Sequence, residues 1–393
     1  MKNPVKSRVL VFIDWYSPGY KAGGPVRSMI NMTEHLAGEF DFFIVSRDSE
    51  YGESTPYDSV NSNAWNELSS GVKVWYSSAG TPSLKLWKQL ITEINPDVVY
   101  INGIYSPKFS LLPVIAARRM KCKTIIVAPR GMLATSAINV KQCKKNLFLR
   151  TVTSLNLYKN VLWHATNQKE ADEVSVRLFV DKSNIYVVPN LPRIALKNYS
   201  ISFKNKWQLR LVSLSRVAPE KNTQYAIECL SLIGDRYNIE LDLYGQIYNQ
   251  DYWQLCEKEI YKLPNHIQVN YRGVADSEFI PEIIAKYNAL LLPSRGENFG
   301  HVILESFMTG RPVLISDQTP WKNLTEIKAG WDLPLSDPSG FSTTLESLAS
   351  MNQEEYDEWC KGAWALGQSV ANDETVVEEY KGMLKGEGLG GRE

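Results

Sequence analysis

Leu290-Leu291-Leu292-Pro293-Ser294-Arg295-Gly296-Glu297-Asn298-Phe299-Gly300-His301-Val302-Ile303-Leu304-Glu305 reads as the end of a buried strand, a polar loop and the start of a helix. The strand is apolar at successive positions, the pattern of a parallel strand covered on both faces. The helix is expected from about Gly300 to Thr309, stopping at Gly310 just before Pro312. In parallel α/β sheets, ligands bind at the carboxyl ends of strands, so residues 293–300 form a candidate ligand loop. Eight helical steps of about 100° would leave Glu297 and Glu305 roughly 80° apart on one continuous helix. With Glu297 in the loop, both carboxylates can converge on one ligand, and ionised carboxylates suit the gripping of sugar hydroxyls. The N–H groups of Asn298, Phe299, Gly300 and His301 can bind hydroxyls or phosphate. Glu297 also fits the ordinary role of a carboxylate near a helix N-terminus. Glu305 lies within the apolar run Val302–Phe307, where a carboxylate needs a partner or a ligand.

The same strand–loop–helix rhythm extends in both directions. Strand-like runs are expected at Val9–Ile13, Phe42–Val45, Val72–Trp75, Val98–Ile101, Thr124–Val127, Val161–His164 and Ile185–Val188. A second series begins at Leu209–Leu214 and continues through Ile239–Tyr244, Ile267–Tyr271 and Ala289–Leu292 to Val313–Ile315. Helical stretches such as Leu84–Ile94 and Phe109–Lys121 lie between them. The fold class is therefore α/β, with two Rossmann-like domains of parallel sheet facing a central cleft. The boundaries are expected at 1–196 and 197–369, with a C-terminal helix at about 370–385 joining the first domain. Lys197–Asn205 reads as the linker, and Met383–Glu393, rich in Gly and charge, as a mobile tail.

Length agrees with two domains: 393 residues exceed one ordinary core. An apolar fraction of 44% excludes a disordered or fibrous chain. No apolar run approaches a bilayer span, and Val9–Ile13, ended by Asp14, is not a signal peptide. The five cysteines are scattered, with no Cys-x-x-Cys, which points to reduced thiols in a cytoplasmic protein. Net charge is zero, which argues against nucleic acid as a partner.

The charge is unevenly spread. Residues 1–200 carry +10 and residues 201–393 carry −10; residues 101–169 hold 12 Lys or Arg and no acid. Tyr105, Phe109, Leu111, Leu112, Leu147, Phe148 and Leu157 interleave with those cations. A basic and partly apolar face suits an anionic membrane surface, including the cytoplasmic face of an inner membrane. A solvated helix face balanced by the acidic half is the plain alternative.

Two further loops carry candidates. Lys21-Ala22-Gly23-Gly24-Pro25 follows the first strand; Gly23 and Gly24 permit close approach of a bulky anion, and Pro25 fits the first helical turn. A plain tight turn would look the same. Ser215-Arg216-Val217-Ala218-Pro219-Glu220-Lys221 opens the second domain. Arg216 and Lys221 can neutralise a diphosphate and stabilise it as it leaves, or pair with local acids such as Glu220.

The order and flanks of these motifs resemble the family 4 retaining glycosyltransferases, which have the GT-B fold. Glu297 and Glu305 match the Glu-x7-Glu signature. Supporting matches are residues 21–25, Ala128–Leu133 with Arg130, His164–Thr166 with Glu170, Val188–Asn190, Arg216 to Lys221, Leu243–Gly245, Gly273 and Pro312–Val313. The resemblance implies that Glu305 holds the ribose hydroxyls of a UDP- or GDP-sugar. Glu297 would hold the donated sugar, with Asn298, Phe299, Gly300 and His301 helping. Arg216 and Lys221 would bind the departing diphosphate, and Gly23 and Gly24 would approach it from the other domain. Arg130 follows the strand 124–127 and is a candidate for donor or acceptor contact. No cofactor and no metal are expected; the chain has no Asp-x-Asp, and His35, His164, His266 and His301 are not spaced as ligands.

One departure stands out: many relatives carry a His where this chain has Asn102, and Asn cannot act as a base. His164 and His301 are the available substitutes. The expected activity is transfer of a sugar to a hydroxyl of a glycan or a polyprenyl-diphosphate-linked acceptor in bacterial O-antigen, capsule or lipopolysaccharide synthesis. The alternatives are a non-catalytic nucleotide-sugar-binding scaffold and a GT-B epimerase of nucleotide sugars.

Overall fold

The computed structural model describes residues 6–134, 137–138, 142–194 and 203–387. Contacts divide the chain into one unit of Met1–Leu191 with Glu374–Glu393 and a second of Pro192–Asp373. Residues 197–202 of the expected linker Lys197–Asn205 and the tail beyond 387 lie outside the described residues.

The strands of the first unit are β1 Ser7–Ile13, β2 Phe40–Arg47, β3 Trp65–Glu67, β4 Lys73–Ser77, β5 Val98–Asn102, β6 Thr124–Ala128, β7 Leu162–Ala165 and β8 Ile185–Val187. They form one sheet in the order β3-β4-β2-β1-β5-β6-β7-β8. Val9–Phe12 have no exposed surface, so β1 is covered on both faces, as its unbroken apolar run requires. Val9 pairs with Phe42 of β2 and with Val98 of β5, which puts the first crossover reversal at β1. The sheet departs from the expected all-parallel form at one edge, where β3 pairs antiparallel with β4. β3 is three residues long, too short for the apolar pattern to mark it in the sequence. The helices carry local start signals: Ser83 accepts from the Leu86 N–H, and Asn167 accepts from the Glu170 N–H.

The second unit holds β9 Gln208–Leu214, β10 Asn238–Tyr244, β11 Ile267–Tyr271, β12 Ala289–Leu292, β13 Val313–Ser316 and β14 Gly330–Leu333. Its order is β11-β10-β9-β12-β13-β14, all parallel. The reversal falls at β9, between β10 and β12. The long helix Gln353–Ala371 starts on a capping box between Asn352 and Glu355.

The chain then returns to the first unit as the helix Glu374–Lys385. Residues 383–385 therefore correct the expected mobile tail: Met383 and Leu384 are buried beside Tyr380 in the core that holds Val9 and Tyr100. The apolar spacing Tyr380–Met383–Leu384 is a helix face, which the Gly-rich residues after it obscured.

Candidate functional site

In an open α/β sheet the crevice forms where strand order reverses, beyond the carboxyl ends of the strands. In the second unit that position lies past β9 and β12, where residues 215–222 and 293–300 emerge. These two loops are joined. The Arg295 N–H donates to Glu220 O at 2.9 Å, and its side chain Nε donates to Asn222 Oδ1 at 3.2 Å. Asn222 takes a left-handed conformation that turns the short helix Pro219–Lys221 into the helix Thr223–Leu230. Gly245 brings a third loop against the first. A Cβ at that residue would lie 1.8 Å from Ser215 O, so no side chain fits.

The expected cation and acid meet within this frame. Lys221 Nζ lies 2.6 Å from Glu297 Oε1, and the Ser294 hydroxyl donates to the same oxygen at 2.6 Å. The two side chains are only 17% and 11% exposed, so the pair is largely shielded from screening by water. Both contacts fall on Oε1; among the described residues, none is made by Oε2. Arg216 takes its local option, pairing with Glu220 at 3.2 Å while stacking over the Tyr248 ring. Arg216 is about two-fifths exposed, and an exposed pair of this kind is easily exchanged for a ligand.

The helix that carries Glu305 runs His301–Met308, capped by Gly300 at φ 80°. Gly300 offers no side chain to the first-turn amides. Trp321 Nε1 donates to Phe299 O at 2.7 Å, and the Phe299 ring packs against His301 and Trp321, which fixes the approach to this turn. Glu305 is 5% exposed and meets Arg193, whose Nε donates to Oε1 at 3.3 Å. Glu297 and Glu305 thus hold different cations, Lys221 and Arg193.

In the first unit the reversal lies past β1 and β5. Gly23 caps the helix Gly24–Leu36 at φ 74° with Pro25 in its first turn, and a Cβ at Gly23 would meet nothing within 4 Å. Glu50 holds the preceding loop by accepting from the N–H groups of Tyr20 and Lys21, and Lys21 pairs with Glu53.

Arg130 lies in the left-handed region at φ 55° and anchors a chain of polar contacts. Its Nε donates to Asn102 Oδ1 at 3.0 Å, Nη1 to Asn190 Oδ1, and Nη2 to Tyr100 Oη at 2.8 Å. Tyr100 Oη lies 2.6 Å from His164 Nδ1, and His164 Nε2 lies 2.9 Å from Val188 O. A carbonyl can only accept, so Nε2 carries the ring proton and Tyr100 donates to Nδ1. Burial pushes the His164 pKa down to about 3, and Arg130 pushes it the same way. His164 is therefore a neutral relay inside the core, and the substitution by His164 contemplated for the Asn102 position has no ligand-facing imidazole behind it. Asn102 instead holds Arg130 and donates to Pro25 O at 3.3 Å, linking Arg130 to the glycine turn. Glu170 completes the brace with bonds from the N–H groups of Gly131 and Thr166.

Arg193, Ser294, Tyr100 and Asn190 were not singled out in the sequence. Ser294 adjoins Glu297, and Asn190 lies in a quoted motif, so position alone could have raised both. Arg193 is a lone cation in the stretch Leu191-Pro192-Arg193-Ile194, with no pattern to mark it.

Residues 198–358, less than half of the chain, match the family model described as Glycosyl transferases group 1. The serotype-specific mannosyltransferase WbdA of Escherichia coli is 30% identical over 137 residues, covering 34% of this chain and 16% of that one. The chain spans about a quarter or less of the length of the curated relatives it matches. Among solved structures, HepE of Anabaena in complex with UDP and glucose superposes with a TM-score of 0.67 at 15% identity, over 97% of this chain and 100% of that one. WaaG, a glycosyltransferase involved in lipopolysaccharide biosynthesis, superposes with a TM-score of 0.64 at 14% identity, over 96% and 100%. The fold is the GT-B fold of these glycosyltransferases.

Proposed function

We propose that the protein is a retaining glycosyltransferase that uses a UDP- or GDP-sugar and transfers its sugar to a hydroxyl of a glycan or polyprenyl-diphosphate-linked acceptor. The observation that carries this proposal is the Lys221–Glu297–Ser294 cluster at the strand reversal, within the segment that matches the group 1 family model. Lys221 and Arg216 supply two cations for the diphosphate that gains charge as the C1–O bond breaks. Glu297, steadied through Oε1, offers Oε2 to hydroxyls of the donated sugar. Glu305 takes the ribose hydroxyls, and in the first unit Gly23, Gly24 and Arg130 are the candidate donor-binding residues. The acceptor oxygen attacks on the face from which the diphosphate departs, passing its proton to a leaving phosphate oxygen, and the anomeric configuration is retained. The likeness to a mannosyltransferase, to WaaG and to a UDP- and glucose-bound enzyme supports a bacterial surface-polysaccharide setting and a nucleotide-sugar donor. No metal is required in this scheme, because the two side-chain cations meet the diphosphate.

The test is nucleotide release from a panel of nucleotide sugars, with and without membrane extract as acceptor source. Acceptor-dependent release with a retained anomer is expected, undiminished by chelator. A donor that binds but never turns over would establish the scaffold alternative. Glu305→Ala and Lys221→Ala should each weaken donor binding by roughly tenfold or more, the scale of a lost charged hydrogen bond, without shifting the unfolding midpoint by more than a few degrees. Wild-type affinity in both variants would remove these residues from the site.

A further inference from the structure

A carboxylate on the buried face of a short apolar helix is costly unless a charge compensates it and a fixed bond holds its orientation. Glu305 sits between Leu304 and Ser306, both buried, and is itself 5% exposed. The cation that reaches it is Arg193, from a segment remote in sequence and outside the helix, strand and loop motifs of the site. Its guanidinium is held at both ends: Nε donates to Glu305 Oε1 at 3.3 Å, and Nη2 donates to Ser277 O at 2.5 Å. The Arg193 side chain is 17% exposed. A planar guanidinium held at two edges has little freedom to swing, unlike the point charge of a lysine. The backbone leading to it is also constrained, because Pro192 precedes it and Leu191 O accepts from Asn31 Nδ2 at 2.8 Å within the first unit.

We infer that Arg193 is a positioning residue that orients Glu305 for the ribose diol of the donor and thereby sets discrimination for ribonucleotides. This rests on the proposed role of Glu305 in holding the ribose hydroxyls. Arg193 fixes one carboxylate oxygen and offsets the charge, so that the carboxylate is already turned toward the diol before the nucleotide arrives. A preoriented acceptor loses less freedom when it forms its ligand bond. A group acting through Glu305 affects ligands that have the hydroxyl and spares those that lack it.

The experiment measures binding of UDP, GDP and their 2′-deoxy counterparts to the full chain by calorimetry. The wild-type protein should prefer the ribonucleotide roughly tenfold, as expected for a hydroxyl bonded to a carboxylate. Arg193→Gln should cut that preference to about twofold or less, chiefly by weakening the ribonucleotide, since a neutral amide supplies neither the charge nor the two-edged hold. Arg193→Lys keeps the charge without the fork and should fall between the two; it serves as the test if the Gln variant does not fold. Equal weakening of both nucleotide types would make Arg193 a general cation or a structural strut and overturn the inference. An unchanged preference in both variants would overturn it as well. A wild-type protein that binds nucleotides without preference for ribose would instead remove the diol role of Glu305, and the inference about Arg193 with it.

Discussion

His164 illustrates how one residue's surroundings decide its chemistry. Buried between Tyr100 and Val188 O with Arg130 two bonds away, its imidazole takes a proton only near pH 3, against an ordinary value of 6.5. Protonation would break the bond from Tyr100 and put a second cation beside Arg130. Between those two pH values the unfolded chain binds more protons than the folded one. Stability therefore falls as pH drops from about 6.5 toward 3, by up to about 1.4 kcal/mol per pH unit from this group. His164→Gln can keep both neutral bonds without titrating. Its urea-unfolding free energy should fall less between pH 7 and pH 5 than that of the wild type; parallel pH curves would show that His164 is not the acid-sensitive group. Glu297, Glu305 and Lys221 stand out as candidates in the sequence, because charged groups in apolar or glycine-bearing surroundings are visible in one dimension. Arg193 and the Tyr100–His164 relay were not, because their partners lie 112 and 64 positions away and nothing local announces them.

At the scale of elements, the candidate ligand loops hold their places partly through a close backbone approach that excludes a side chain. Gly245, at φ 148°, lets the turn after β10 pass against Ser215, next to Arg216, and its N–H donates to Gly273 O at 2.8 Å. Gly245→Ala would drive a Cβ into a carbonyl oxygen and displace the loop that presents Arg216. The expected cost is about 2–4 kcal/mol in denaturant unfolding, with weakened nucleotide binding. Gly273→Ala, at φ 79° in open space, should cost only about 1–2 kcal/mol from its backbone conformation. Similar losses at both positions would mean that the close approach at Gly245 is not what constrains the turn. The strands were legible for a related reason: a run buried on both faces is apolar throughout, as at Val9–Ile13 and Ala289–Leu292. The antiparallel β3 escaped because Trp65–Glu67 is a three-residue, half-buried edge with no such run.

Across the whole molecule the charge division becomes a surface feature of the first unit. Arg119, Lys121, Lys123, Lys144, Arg150 and Lys159 are exposed, and so are Met120, Leu147 and Leu155, the last two at 68% and 63%. Lys145 is engaged instead, donating to Ala137 O and lying over the Tyr105 ring, and Lys141 lies outside the described residues. No helix among the described residues is long and apolar enough to cross a membrane. Exposed leucines beside lysines suit shallow insertion under anionic headgroups, at about 1 kcal/mol per cation near the surface. Lys144→Glu with Arg150→Glu should therefore reduce sedimentation with vesicles containing anionic lipid and leave turnover of a soluble acceptor unchanged. Undiminished sedimentation would assign the patch to solvent.

The helix that closes the first unit, Glu374–Lys385, follows the whole of the second unit in sequence, with Tyr380, Met383 and Leu384 in the core that holds Val9 and Tyr100. The second unit is unbroken from Pro192 to Asp373, so its whole sequence lies between the two pieces of the first. The core of the first unit can therefore be completed only after the second unit has been translated.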